Sequence, residues 1–455
     1  MEIQDNSLPE KKPVPTADGE AGLSILKGLV RDRSLLTAMK AMQDEVGNIF
    51  QITMPRFQPI VVAGPNFNRQ VLVKNREKFN WRGKKDPVVK LLRHGVLVED
   101  GEEHDHLRTC MEPALTRTPS LKHIPQMLHY TDQVLDSWPN GGEVDMLVEM
   151  RKVALLIFLG TLCGTNFTED LEALWDPILK AIKYISPGPW ILWPDMPRPG
   201  YKKDLERLDA YLYGLIRQRR KEGGPDDDLL GRLVNDPQLD DDLIRDQLLT
   251  MLIAGHDTST AMLSWALYLM GEYTQVLAAA EREILELLND ELLIDNSVWN
   301  EQTLHQMIYL DQVIKETLRL YPPIHVGNRF AKEDMILDGY TIPENSRMMV
   351  SIFLTHRDKT VWDAPESFCP HRFERSQQSE PTQRRPPLAY IPFGGGPRNC
   401  IGATFAQIEG KVVLSRILQQ FEVKLSPDQE IRPYMGATLE PRPGVRMIVK
   451  RRNKN

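Results

Sequence analysis

A mainly α-helical fold with small β-sheets (α+β) is the fold class this 455-residue sequence predicts, and three observations carry it. From about Phe67 to Leu320 apolar residues recur at three- and four-residue spacing, which puts them on one face of successive helices. The segment opening at Asp240-Asp241-Asp242 runs about thirty residues without a proline, and at ~1.5 Å per residue such a helix crosses the whole molecule. Short β-branched runs stand before and after this region, too brief for more than small sheets.

In chain order, residues 1–24 read as a polar N-terminal tail, acidic and broken by proline, with no apolar core of the kind a signal peptide needs. Residues 25–455 read as a single domain, without an internal repeat or a separating linker. Gly47 to Met54 and Pro59 to Pro65 are two β-branched runs joined by a short turn, a hairpin pattern. Val153 to Cys163 is the most apolar stretch; at about ten to twelve residues it falls short of the roughly 20 a membrane span requires, so it is expected as a buried helix. Asp204 to Arg220 carries Leu205, Leu208, Leu212, Leu215 and Ile216 at helical spacing and stops at Gly223-Gly224-Pro225. After Tyr321-Pro322-Pro323 the pattern becomes short and β-like (MILDGYTIP, SRMMVSIFL), then loop-rich, and a last helix follows Cys400. Arg375 to Pro387 reads as an exposed polar insertion.

Composition narrows the function classes. Hydrophobic residues are 41% and charged residues 26%, which excludes collagen-like and globally disordered chains. Lys and Arg number 56 against 63 Asp and Glu, a net charge of −7, so the cation excess of a nucleic-acid binder is missing. The four cysteines (Cys110, Cys163, Cys369, Cys400) show no CxxC spacing, which argues against a disulfide framework or zinc ribbon and for a reducing, cytoplasmic setting. No HExxH or GxSxG occurs, and Glu103-x-x-His106 is a single ExxH where a di-iron bundle needs two.

The segment Phe393 to Gly402, FGGGPRNCIG, sets a cysteine behind three glycines at the mouth of a helix. As a phosphate loop it fails, since neither GxGxxG nor Gly-Lys-Ser/Thr is completed. As a thiolate site it works. Glycines let backbone N–H groups approach sulfur, and a helix N-terminus favours an anion by roughly 0.3 to 1 kcal/mol. Phe393-x-x-Gly396-x-Arg398-x-Cys400-x-Gly402 is similar in full to the haem-binding signature of the cytochrome P450 superfamily, and with three further motifs the resemblance covers about residues 25 to 450. It implies a P450-like fold with haem b held between the long central helix and the helix after the cysteine loop. Cys400 would be the axial iron ligand and the metal-binding residue, with Phe393 and Gly402 of the same loop at the cofactor.

The second motif, Ala254-Gly255-His256-Asp257-Thr258-Ser259, lies in the middle of the long helix. A threonine there bonds back to the carbonyl four residues earlier, that of Ala254, and bends or opens the helix, while Gly255 leaves room beside it. The resemblance makes Thr258 the oxygen-side alcohol and Asp257 the acid of a proton relay. The third, Glu316-Thr317-Leu318-Arg319, is an i,i+3 ion pair that alone signifies little. Downstream Pro370-His371-Arg372-Phe373 resembles the family's Pro-Glu-Arg-Phe, with His371 departing from glutamate, and implies a structural triad of Glu316, Arg319 and Arg372. The fourth is His104-x-x-x-Arg108, one helix face by its i,i+4 spacing; with Arg329 and Arg398 it matches the family's partners of the haem propionates.

The implied activity is a haem-thiolate monooxygenase that inserts one atom of O2 into an apolar organic substrate. The chain carries no further flavin or iron–sulfur signature after Cys400, so a ferredoxin or flavodoxin with an NAD(P)H-dependent reductase is the expected partner. A peroxygenase, an isomerase-type haem-thiolate enzyme and a non-catalytic haem sensor or carrier are the rival readings. Pocket-lining segments implied by the resemblance are Trp81 to Val98, a lid near Tyr184 to Gly200 with Trp190 and Trp193, Ile324 to Asn328, and Gly436 to Leu439. With few fixed charges they suit a lipid, terpenoid, steroid or polyketide, and His325 adds a polar contact.

Overall fold

Helices dominate because the long central segment is apolar on all sides and must be covered all round. The computed structural model describes residues 12–16, 35–54, 56–83, 86–188, 190, 193, 196–288, 298–374 and 384–452. Most of the 1–24 tail, residues 375–383 of the polar insertion and several residues of the lid segment lie outside the described residues.

Eight helices position the site: α1 (Gly101–Leu115), α2 (Ile124–Leu135), α3 (Met146–Ile157), α4 (Leu171–Ile185), α5 (Lys202–Glu222), α6 (Asp241–Glu272), α7 (Ile308–Leu320) and α8 (Ala403–Gln420). α6 is the predicted long helix, 32 residues. Its start is set by Asp240, whose carboxylate accepts the Leu243 N–H at 2.8 Å, with Asp241 and Asp242 beside the positive end of the helix dipole. It packs against α3, α5, α7 and α8. Several of its buried polar side chains are partnered: Gln247 reaches the His94 carbonyl at 2.9 Å, and Thr250, Thr260 and Ser264 bond back along the helix, whereas among the described residues His256 Nε2 has no partner. The expected apolar helix is α3, which passes into a single π turn, Phe158–Leu162.

The main sheet has the order β1-β2-β8-β5-β3. Its strands are β1 (Ile49–Gln51), β2 (Ile60–Val62), β3 (Phe79–Asn80), β5 (Val326–Ala331) and β8 (Arg347–Ser351); β2 and β8 run parallel and the other pairs antiparallel. The predicted hairpin is β1–β2, Ile49 facing Val62. Residues 12–16 join this edge of the molecule, with Lys12 bridging Tyr340 and Thr16 bridging Gln51. A second sheet, β4-β12-β9, joins β4 (Gly142–Asp145), β9 (Phe421–Leu425) and β12 (Arg446–Arg451), while β6 (Met335–Leu337) pairs β7 (Tyr340–Ile342) and β10 (Arg432–Met435) pairs β11 (Leu439–Arg442).

The sequence reading stops its elements at the helix after Cys400, and the strands beyond it correct that reading. FEVKL of β9 buries Phe421 and Val423 and exposes Glu422 and Lys424, a period-two pattern masked by its charges and its five-residue length. β5 was also unread. Its VGNRFA carries no clean alternation because the strand lines a cavity and also holds the sheet.

Candidate active site

One cavity of about 470 Å³ collects every site position the sequence singled out: His104, Arg108, Ala254, Asp257, Thr258, Arg329, Phe393, Arg398, Cys400 and Gly402. Residues separated by some 300 positions meet there because α1, α6, β5 and the loop before α8 converge on it.

The cysteine loop is shaped by backbone. Gly394 and Gly396 have φ of 74° and 71°, and a Cβ on Gly396 would stand 2.3 Å from the Leu72 carbonyl oxygen, so only glycine fits. The Cys400 N–H donates to the Phe393 carbonyl at 2.7 Å, which fixes the sulfur's backbone, and the side chain opens into the cavity. Desolvation pushes the thiol above its ordinary value, against the pull of the Gly402 N–H and the Arg108 charge. The Gly402 N–H and the Arg108 charge thus act against burial at this sulfur.

Across α6 the back-bond is present: the Thr258 hydroxyl donates to the Ala254 carbonyl at 2.6 Å and sits 3.3 Å from that of Gly255. The helix stays continuous through it. Gly255 makes room for Phe158, placed by the π turn, whose ring would be 3.0 Å from an added Cβ. Asp257 is buried; its Oδ1 accepts from Arg151 at 3.2 Å and its Oδ2 from the Thr438 hydroxyl at 2.8 Å. Arg151 also pairs with Glu440, which Arg442 holds from the half-exposed side at 2.7 Å. Sequence reasoning missed this chain, since Arg151 lies inside the apolar α3 pattern and Glu440 in an unread strand. It also missed Glu409 on α8, fully buried at the cavity, whose carboxyl accepts from Ser259 at 2.5 Å and which burial pushes up to about 8.

The cations cluster at one side. His104 is buried, its Nδ1–H donating to Asp105 at 2.8 Å, and burial holds the ring below its ordinary value. Arg108 clasps Asn399 through its carbonyl at 2.7 Å and its Oδ1 at 2.9 Å, tying α1 to the cysteine loop. Arg398 donates to Asp100 at 2.6 Å, and Asp100 also accepts the Trp81 N–H at 3.0 Å. Arg329 is buried with its guanidinium 3.4 Å from the Trp81 ring centre, and among the described residues only the Asn328 carbonyl, at 2.6 Å, accepts a bond from it. Burial first, then the neighbouring Arg82 and Arg398, push it down to about 9. A buried guanidinium without a carboxylate, among further cations, is costly unless an anion joins it. A dianionic group fits there, and Cys400 is a lone soft ligand, which suits an iron that brings its remaining ligands with it: among the described residues no three His, Cys, Asp or Glu side chains gather to hold a bare metal ion.

Behind the loop, Arg319 grips Glu316 through two bonds of 2.8 and 2.7 Å, both side chains wholly buried, and Arg372 reaches the same carboxylate at 3.3 Å. Arg319 also donates to the carbonyls of His356, Pro365 and Ser367. His356, unread in the sequence, joins this group to the loop: its Nδ1–H donates to the Arg319 carbonyl at 3.1 Å and its Nε2 accepts the Ile391 N–H at 2.9 Å.

The four segments expected to line the pocket all contribute to it, through Trp81, Ile185, Trp190, Ile324 to Asn328 and Gly436 to Thr438 among others. Trp193 does not; it is half exposed on the outside. Arg82, Asp86 and Arg347 add fixed charges that the reading of a pocket with few charges did not count.

The family model for cytochrome P450 matches residues 23–448. A Synechocystis protein named as cytochrome P450 120 is 28% identical over 424 residues, covering 90% of this chain and 91% of that one. The bifunctional cytochrome P450/NADPH–P450 reductase 1 of Bacillus subtilis is 28% identical over 463 residues, 95% of this chain and 42% of that protein. A solved structure of retinoic acid-bound cyanobacterial CYP120A1 superposes with a TM-score of 0.82 at 25% identity, covering 97% of this chain and all of that one. Among the described residues no helix is long and apolar enough to cross a membrane.

Proposed function

The chain belongs to the cytochrome P450 family of monooxygenases, and on that premise we propose that it inserts one atom of O2 into an apolar organic substrate, by hydroxylation or epoxidation, with electrons delivered by separate proteins. The observation that carries this reading is the meeting of the Cys400 sulfur and the Thr258 groove in one cavity whose rim holds a surplus of buried positive charge. Haem b is the cofactor proposed; when bound it supplies the iron at which dioxygen is activated.

Each residue then has a task. Cys400 is the protein's ligand, held in place by the Phe393 carbonyl, with Gly402 N–H and Arg108 favouring its anion. His104, Arg108, Arg329 and Arg398 take the two propionates, and Phe393 and Gly402 shape the sulfur's surroundings. Thr258 gives its hydroxyl proton to the Ala254 carbonyl, which leaves the oxygen's lone pairs free to accept a bond from a guest in the groove. Asp257 is the acid–base group of the relay: its Oδ2, which accepts from cavity-lining Thr438, takes up a proton and passes it toward Thr258 after leaving that partner. Arg151 keeps the carboxylate oriented between transfers.

The Bacillus relative carries its own NADPH–P450 reductase, which supports a reductase as the electron source; a ferredoxin or flavodoxin with an NAD(P)H-dependent reductase fills that role here. Retinoic acid in the cyanobacterial relative supports an apolar organic substrate. Cytoplasmic residence is part of the same proposal, supported by four cysteines that all stand unpaired.

The test is coupling. With reconstituted redox partners Thr258→Ala is expected to consume reductant within about twofold of the wild-type rate but to lose about tenfold or more in product per electron pair, the scale of a misplaced proton donor. Unchanged product yield would remove Thr258 from the relay, and full turnover on hydrogen peroxide alone would favour a peroxygenase.

A further inference from the structure

Gln247 is wholly buried on α6 and does not itself line the cavity, yet it holds a stretch of chain that does. Its Nε2 donates to the His94 carbonyl at 2.9 Å and its Oε1 accepts the Val96 N–H at 2.8 Å, so one side-chain amide pairs with the backbone as the residue of a neighbouring strand would. Asp246, the preceding residue, accepts the His94 N–H at 3.2 Å. Gly95, between the two paired residues, lies so close to the helix that an added Cβ would stand 1.9 Å from Thr250 Oγ1. Residues 94–96 are thus fastened to α6 by three hydrogen bonds and by a contact that leaves no room for a side chain. The chain then turns, the Val98 N–H donating to the Gly95 carbonyl at 2.7 Å, and Val96 and Leu97 form part of the cavity wall. Gln247, Thr250, Ala254 and Thr258 follow one another at steps of three and four residues, so the clamp and the groove share one face of a continuous helix.

We infer that Gln247 is a specificity-determining positioning residue: it sets the wall of Val96 and Leu97 at a fixed distance from the Thr258 groove, and so fixes how much of an apolar guest fits between them. The chemistry asks for an amide. The His94 carbonyl needs a donor and the Val96 N–H an acceptor, and glutamine carries one of each in a single plane. Glutamate would set an acceptor against the His94 carbonyl, and an aliphatic side chain would leave both backbone groups without this partner. The inference rests on the monooxygenase reading for the haem iron to which the probes of its test bind.

Hydrogen exchange of the holoenzyme reads the clamp. Gln247→Glu is expected to speed exchange at the Val96 amide by about tenfold or more, the scale of one lost hydrogen bond. Optical titration with 1-methylimidazole and 1-dodecylimidazole reads the wall, since the small ligand needs only the iron and the long one also fills the cavity. Gln247→Glu is expected to weaken the dodecyl probe about tenfold, what one to two buried methylenes contribute, and to leave the methyl probe within about twofold at unchanged haem content. Gly95→Ala perturbs the same contact from the other side: its clash with Thr250 is expected to produce the same selective loss, and Thr250→Ala in the same chain to restore most of it. This second pair decides the matter if Gln247→Glu does not hold haem. Unchanged exchange at Val96, faster exchange with the ratio of the two affinities unmoved, or a Gly95→Ala loss that Thr250→Ala does not relieve would overturn the inference. A wild type with no iron spectrum would instead refute the haem reading, with exchange at Val96 still deciding whether Gln247 holds the wall.

Discussion

At the scale of single residues, the chemistry was legible wherever a residue's neighbours in sequence are also its partners in space. Thr258 and Ala254 are one helical turn apart, so the back-bond at 2.6 Å follows from the spacing. Glu316 and Arg319 likewise face each other by i,i+3 geometry, although only the structure shows how completely they are enclosed. Arg151, His356, Glu409 and Arg347 were invisible because each acts on a partner more than 15 residues away, Asp257, Ile391, Ser259 and Phe57 among them. Glu316 supports one prediction. Its carboxylate holds Arg319, Arg372 and the Cys369 N–H, so Glu316→Ala strands a wholly buried guanidinium and is expected to cost about 3 to 5 kcal/mol. Urea denaturation of mutant and wild type measures it; a loss below about 1 kcal/mol would show that the three carbonyls on Arg319 suffice without the carboxylate.

Elements were read best where one period ran long enough to be counted. α6 qualifies at 32 residues, and its Asp240 start is a physical stop as well as a sequence signal. Because that cap satisfies a helix-end N–H, Asp240→Ala is expected to destabilise the protein by about 1 kcal/mol, within the 0.5 to 2 of lost N-caps. A fall in the thermal midpoint with the absorption spectrum of the bound cofactor unchanged would agree, since the cap lies at the end of α6 and the groove at its middle. An altered cofactor spectrum would mean that the helix moves as one rigid piece. The π turn at Phe158–Leu162 and the strands β5, β9 and β12 escaped notice for opposite reasons. The π turn is hidden in an apolar run with no period of its own, and the strands are too short for alternation to stand out from chance.

For the whole molecule, buried histidines set the response to acid, His104 in the same direction as the three with the largest shifts. Burial pushes His256 and His356 down to about 3 and His325 down to about 4. Each stays neutral in the fold but takes a proton near pH 6.5 when unfolded, so the stability they represent is present above that value and lost as pH falls below it. Glu409 has the opposite sign. Raised to about 8, it keeps its proton in the fold, and its contribution is lost as pH rises from its unfolded value near 4.5 toward 8. Between about pH 4.5 and 6.5 the net effect of these three histidines and Glu409 is two protons, or about 3 kcal/mol lost per pH unit of acidification, and for these groups the optimum lies near pH 6.5. Thermal midpoints across this range are expected to peak there, and Glu409→Gln to flatten the alkaline side; a wild-type peak at alkaline pH would refute this assignment. The cavity is likewise a property of the whole: its rim cations come from α1, β5 and the cysteine loop, and their shared excess of positive charge appears only when the fold brings them together.

The central claim is that Cys400 is the thiolate ligand of a haem in this cavity, and the reduced, carbon monoxide-bound difference spectrum of the purified protein beside Cys400→Ala tests it most directly. The strongly red-shifted band of thiolate-ligated haem is predicted in the wild type and its loss in the mutant. The same band in Cys400→Ala, or haem bound by the wild type without it, would contradict the assignment.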